Sequence, residues 1–320
     1  MIFPYLTTFI IIIILSYYGY EIGKKLQILD KPSKYKIHKF QVPLLGGLLI
    51  YLSILIFSIF LISSYNLNYN IFFFISFFFI LGFIDDRINL NSNYKISFVI
   101  LFSLLFIYFD KSFIIERIYF EISNNEYYFG KLKIPVTIFC ILLLYIAMNM
   151  ADGINCLLIS FSIISLLVIN FIIFDFLLDE LDSAILFSLT VLLFFNYYNK
   201  IFLGNSGASL LPAYFIYKLI NGNYIAQPDV FEVISIFLIM GVDMVRLVIV
   251  RLVNDRNPFD RDLNHLHHLL LKKMRLTFTV ICYLFLSFFP IFLSQIFDIS
   301  VLFFIPITLS IYFLLIYKLK

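Results

Sequence analysis

Long apolar runs alternate with short polar knots along the whole chain. Runs rich in Ile, Phe and Leu centre near residues 11, 54, 77, 102, 142, 164, 191, 214, 242, 285 and 308. A helix needs roughly 20 apolar residues to cross ~30 Å of hydrocarbon. The pattern therefore predicts an all-α, polytopic membrane helix bundle of about eleven transmembrane helices. Several runs hold only about 15 apolar residues and must borrow flanking positions or tilt little. The first run, IFPYLTTFIIIIILSYYGY, has no cationic start and no small-residue cleavage site, so it reads as a retained helix. One integral membrane domain over residues 1–320 is expected.

The knots sort by charge. Most of the 23 Lys and Arg residues lie in loops that follow odd-numbered runs or at the C-terminal end. By the positive-inside rule this puts the N-terminus outside and the C-terminus in the cytoplasm. The longest outer segment, residues 115–135, alternates partly, and its SNN is suited to turning a short hairpin. It is expected to cap the outer side without chemistry.

Composition narrows the class. The chain is 62% hydrophobic and 13% charged, whereas a soluble domain carries about 25% charge. A single aqueous core is excluded. Cys140, Cys156 and Cys282 show neither metal nor redox spacing and imply no disulfide framework.

Five knots carry residues suited to chemistry: LDKPSKYKIHKFQVPLLGG (29–47), GFIDDRINLNSNYK (82–95), NMADGINCL (149–157), KIFLGNSGAS (200–209) and RNPFDRDLNHLHHLLLKK (256–273). All five fall on the expected cytoplasmic side, and polar groups at a membrane core mark function. Asp85 and Asp86 are adjacent carboxylates that repel, so a proton or a cation must relieve the pair; a solvated helix end with Arg87 is the plainer reading. Lys95 could hold a phosphate or snorkel to the interface. Asn149, Asp152 and Asn155 recur at spacing three and would share one face of a helical turn, with Gly153 admitting a close approach. Interhelical hydrogen bonding explains them equally well. His265, His267 and His268 lack Cys or Glu at zinc-ligand spacing and suit phosphates better. Asp243 and Arg246 lie three apart within the ninth run, an intramembrane salt bridge by default. Gly46 and Gly47, after Pro43, allow close packing.

Together these groups offer carboxylates for Mg²⁺ and cations and imidazoles for phosphates. That set suits phosphoryl transfer, in which catalysis is positioning and charge neutralisation. Burial in the membrane suggests that one substrate is a lipid.

The order and spacing of the five segments resemble the polyprenyl-phosphate N-acetylhexosaminyl-1-phosphate transferases of glycosyltransferase family 4. This family includes bacterial undecaprenyl-phosphate GlcNAc-1-phosphate transferases. The resemblance covers roughly residues 20 to 275. It implies that a polyprenyl phosphate attacks the β-phosphate of a UDP-N-acetylhexosamine, releasing UMP, with Mg²⁺ or Mn²⁺ required. It also implies a multi-pass protein of the bacterial plasma membrane, with its site on the cytoplasmic face and no nucleic-acid partner. A homodimer is one assembly it leaves open. Carried over by position, Asp85, Asp86 and Asp152 are the catalytic carboxylates. Lys95 would contact the diphosphate and Asn155 the uridine end. His265, His267 and His268 would hold phosphate or sugar, and Lys36 and His38 of the first loop join the substrate-binding set. Asn149, Asn205 and Asp86 are the implied metal neighbours.

The chain departs from the family pattern at Tyr35, Cys156 and Ala208, and above all at Asn205, where an Asp is usual. An amide oxygen can coordinate Mg²⁺ but brings no charge. Two alternatives therefore stay open: a weakened or inactive homologue that binds lipid or nucleotide, and a transporter of lipid-linked sugars. The transporter would need polar residues along a path through the membrane, whereas here they cluster on one side.

Overall fold

The computed structural model describes residues 2–32, 40–61, 69–175, 177–258 and 262–319. Lys36, His38 and Tyr35 lie outside the described residues. The described chain forms the helices α1 (Ile2–Tyr17), α2 (Gly19–Leu26), α3 (Gly46–Leu61), α4 (Tyr69–Ile88), α5 (Ser92–Phe109), α6 (Lys133–Ala151), α7 (Leu157–Val168), α8 (Glu180–Tyr197), α9 (Gly204–Ala226), α10 (Val230–Val253), α11 (Leu266–Leu271), α12 (Leu276–Phe297) and α13 (Ile305–Leu319). Each of the expected span centres falls inside one of these helices. By length and apolarity alone, 6 described helices can cross a membrane, or up to 7 if the bent pair α1 and α2 counts as one span. The bend between those two is 74°.

The sequence sets these boundaries locally. Asp179 caps α8: its side chain accepts from the Asp182 backbone N–H, and Asp182 returns the bond in a capping box. Gln27 and Asp298 end α2 and α12 in the left-handed conformation. Large apolar side chains such as Phe73, Phe139 and Phe285 remain exposed on helix faces. In a bilayer such faces meet lipid, so they need no protein cover.

The chain divides into two compact units. The first comprises Met1–Phe102 and Leu158–Tyr217. In it α3 packs along α8 and α1, and the two-residue strands β1 (Leu29–Asp30) and β2 (Val42–Pro43) pair antiparallel. The start of α3 is tied by backbone to the turn before α9: Gly46 N–H donates to Phe202 O at 2.9 Å and Gly47 N–H to Leu203 O at 2.8 Å. A Cβ at Gly47 would sit 2.2 Å from Gly207 N, and one at Gly82 of α4 would sit 2.2 Å from Asn205 O. Only glycine permits backbone to meet backbone this closely.

The second unit comprises Ser103–Leu157 and Lys218–Lys320. In it α10 packs against α6 and α12. Strands β3 (Arg117–Phe120) and β4 (Asn125–Tyr128) form the short antiparallel hairpin that the SNN turn suggested, with Asn124 at φ 49°. The hairpin is pinned to the start of α10, where Asp229 accepts from Glu121 N–H at 3.2 Å.

Candidate active site

In the first unit, Asp85 and Asp86 end α4, and both are buried. Adjacent helical residues point about 100° apart, so the two carboxylates serve different partners. Asp85 Oδ2 accepts from Lys95 Nζ at 2.8 Å, and its Oδ1 accepts from Leu90 N–H at 2.7 Å. This folds the short connection between α4 and α5 around a part-buried ion pair. Asp86 turns the other way. Its Oδ1 accepts from Asn205 N–H at 2.7 Å and its Oδ2 from Ser206 N–H at 2.9 Å. Asp86 is thus the acid at the N-terminus of α9, where unpaired amides and the helix dipole favour negative charge. The backbone of Asn205 is held by one of the two carboxylates expected to work beside it.

In the second unit, α6 ends at Ala151, and Asp152 leaves the helix with φ −76° and ψ 50°. Asn149, Asp152 and Asn155 therefore do not share one helical face as their spacing suggested. Asn149 lies on the helix, its Nδ2 donating to Tyr145 O at 3.2 Å, and the other two lie on the turn beyond it. That turn carries Gly153 and Cys156, the latter at φ 66°, and meets the histidines. A Cβ at Gly153 would fall 2.3 Å from His267 Nε2 and 2.8 Å from His268 Nε2. Two imidazole nitrogens therefore converge on the Asp152–Gly153 turn.

The segment before the histidines is anchored by Arg251, itself buried. Its Nε and Nη2 both donate to Asp262 Oδ2, at 2.9 and 2.7 Å, and its Nη1 donates to Pro258 O at 2.6 Å. His267 is fully buried, and neither of its ring nitrogens has a hydrogen-bond partner among the described residues. Its ring lies parallel to that of His265, centroids 5.4 Å apart, and 4.3 Å from that of His268. A buried polar group without a partner is costly, and His267 carries two such nitrogens among the described residues.

Burial pushes the His267 imidazole well below its ordinary value, with the nearby His268 and His265 adding to the effect. Burial also pushes His268 down to about 4, helped by His265 and Lys272. Both rings are neutral at pH 7, so each can offer an N–H but no positive charge. This has a consequence for stability. The unfolded chain takes up these protons near pH 6.5, whereas folded His268 resists until about 4. Between those values the unfolded state binds more protons, so stability falls as pH drops through that window. The thermal unfolding midpoint in detergent is expected to fall between pH 7 and pH 5, and His268→Gln to flatten the slope. A midpoint independent of pH over that range would contradict the buried neutral histidines.

No group of three or more His, Cys, Asp or Glu side chains among the described residues is arranged to hold a metal ion. Mg²⁺ does not need one, since it binds through one or two carboxylates with phosphate and water oxygens. Each oxygen of Asp86 accepts a single N–H and keeps a lone pair. The donor set fits Mg²⁺ arriving with phosphate.

The sequence reading missed two residues: Asp243 as the partner of His265, at 2.8 Å, and Arg251 as the anchor of the loop. The signals were an acid within an apolar helix and an Asp three residues before His265.

Apolar helices long enough to cross a membrane, with buried polar side chains at their ends, define a polytopic membrane protein. Residues 68–223 match the model of glycosyl transferase family 4. Over 281 residues the chain is 23% identical to the undecaprenyl-phosphate alpha-N-acetylglucosaminyl 1-phosphate transferase of Escherichia coli K12, covering 83% of this chain and 75% of that protein. It is 28% identical over 260 residues to the Thermotoga maritima protein of the same name, covering 79% and 76%. It is 25% identical over 267 residues to a probable undecaprenyl-phosphate N-acetylglucosaminyl 1-phosphate transferase of Bacillus subtilis, covering 78% and 72%. Over that segment the chain is similar to glycosyl transferase family 4, and it is a multi-pass protein of the bacterial plasma membrane.

Proposed function

We propose that the protein transfers N-acetylhexosamine 1-phosphate from a UDP-sugar to undecaprenyl phosphate on the cytoplasmic face, releasing UMP. The observation that carries this reading is the carboxylate pair at the end of α4, in a chain similar to such transferases. Asp85 is held by Lys95, and Asp86 by the start of α9. An incoming phosphate competes with Asp85 for Lys95 Nζ, which frees the Asp85 carboxylate to accept the acceptor phosphate's proton. A lipid phosphate oxygen then forms its bond to the β-phosphorus as the bond to the UMP oxygen breaks. Asp86, with the Asn205 amide beside it, would hold Mg²⁺, which would supply charge neutralisation for the diphosphate. Asn149, Asp152 and Asn155 serve the donor, and His267 and His268 donate to its phosphate or sugar oxygens.

The test is Mg²⁺-dependent UMP release by the purified protein in nanodiscs with undecaprenyl phosphate and several UDP-N-acetylhexosamines. UMP release with at least one donor is expected. None with any donor, beside an active relative, would sink the reading. Asn205 favours a second reading, a homologue that binds but does not turn over. Asn205→Asp separates the two: it is expected to lower the Mg²⁺ concentration needed for half-maximal rate by about tenfold, as an added charge near a metal does. Activity appearing only in that variant would support the second reading.

A further inference from the structure

Asp243 is a buried acid in the middle of α10, and a carboxylate can accept about four hydrogen bonds, more than a simple pairing with Arg246 uses. The structure gives it four donors. Its Oδ1 accepts from Tyr312 Oη at 2.6 Å and from Arg246 Nη2 at 2.8 Å. Its Oδ2 lies 2.8 Å from His265 Nδ1. The Leu266 N–H, first in α11, lies 3.2 Å from Oδ2 and 3.3 Å from Oδ1. Arg246 is fixed in turn, its Nε donating to Tyr312 Oη at 2.7 Å and its Nη2 to Asn264 O at 2.7 Å. Three elements, α10, α11 and α13, thus meet at one carboxylate.

We propose that Asp243 is a positioning residue for the transfer reaction, fixing the proton of His265 on Nδ1 and turning Nε2 toward the substrate. The inference rests on the functional reading above. An ionised carboxylate only accepts, and Oδ1 is already committed to Arg246 and Tyr312. The His265 nitrogen facing Oδ2 must therefore carry hydrogen. Which nitrogen of an imidazole is available is set by the bond the other one makes. The backbone N–H of Leu266 on the same carboxylate fixes where the ring stands. His265 also stacks on His267, so its tilt sets that of the neighbouring ring.

The variant Asp243→Asn tests this. The amide oxygen stays where Oδ1 meets two donors, so the amide NH₂ replaces Oδ2 and faces His265 Nδ1. The ring is then driven to the Nε2–H form. Buried acids that set a tautomer cost up to about 10⁴-fold in kcat when made amides. Here a loss of about 100-fold in kcat is expected, with KM for the UDP-sugar within about threefold. The chain has 4 His residues, so ¹⁵N-histidine-labelled protein in nanodiscs gives a readable spectrum, with His265 assigned by its loss in His265→Gln. Wild-type protein is expected to show a protonated Nδ1, and Asp243→Asn an unprotonated one. Tyr312→Phe removes a bond to Oδ1 but not the one to His265. It should lower stability, keep kcat within about threefold and leave the tautomer unchanged. An unprotonated Nδ1 in the wild type overturns the proposal whatever the activity, and so does a kcat loss in Tyr312→Phe equal to that in Asp243→Asn. Protonated Nδ1 without UMP release would leave the Asp243–His265 pair in place and remove the transferase reading.

Discussion

Alanine at position 153 is expected to lower kcat/KM for UMP release on the order of 1,000-fold while the protein stays folded in the membrane. The added methyl would stand 2.3 Å from His267 Nε2 and 2.8 Å from His268 Nε2. Neither ring can retreat easily. His267 has no exposed surface, lies parallel to His265 and meets Tyr283 with its ring centroid 6.2 Å away. Tyr283 is itself almost fully buried. The turn must therefore open, and Asp152 moves with it. A displacement of about 1 Å costs roughly 100-fold when groups are aligned for reaction. Losing an aimed donor costs about 100-fold or more, and one shift of the turn causes both losses, so they overlap instead of multiplying in full. Gly153 is exposed, so the turn can shift outward at small cost, and the thermal midpoint should fall by only a few degrees. Steady-state kinetics with differential scanning fluorimetry measures both. Near-normal turnover in Gly153→Ala would show that the two Nε2 atoms do not act in the reaction.

The helices were legible because a bilayer leaves few choices. A run of Ile, Phe and Leu must satisfy its own backbone, and a helix does so. The hairpin at 117–128 was legible for a different reason: Asn124 tolerates the left-handed turn that the SNN stretch requires. What spacing alone does not reveal is where a helix stops. Asn149, Asp152 and Asn155 read as one face because the 3.6-residue period was carried past Ala151. The chain breaks there so that Gly153 can meet the histidines.

The site was legible as residue types but not as partnerships. Asp85 and Asp86 look equivalent in sequence, yet one binds Lys95 and the other caps a helix that begins 118 residues later. Asp243 pairs with Arg246 at spacing three, as expected. Its bonds to His265 and Tyr312, however, join residues 22 and 69 positions away. Long-range partners of this kind are set by helix packing, which a local pattern does not encode. The same lesson alters the meaning of Asn205. In sequence it is a missing acid; in the structure its backbone already lies against an acid, Asp86. A carboxylate at both positions would repel its neighbour until a cation arrived, so the amide lowers the charge to be neutralised before binding as well as the charge available to hold Mg²⁺.

Asp86→Ala should be the more damaging change to the first unit. Two amides at the start of α9, Asn205 and Ser206, would lose their acceptor where Asp86 is buried. Removing a helix cap costs about 1 kcal/mol, and each buried donor left unpaired costs about 1–3 kcal/mol. The sum expected is about 3 kcal/mol, because some water will reach the opened site. The first turn of α9 cannot tilt to find new partners, since α3 and α4 press on it through Gly47 and Gly82. Activity should fall about 1,000-fold or more, because the carboxylate that positions Asn205 is also the one proposed to hold the metal. Asp86→Asn separates the two roles. Its amide oxygen keeps one of the two N–H partners while its NH₂ opposes the other, so about half the stability should return without the activity. Guanidinium or thermal unfolding alongside UMP release reads this split. Full recovery of activity in Asp86→Asn would mean that the carboxylate acts only as a cap, and an unchanged unfolding midpoint in Asp86→Ala would mean that it is not a cap at all.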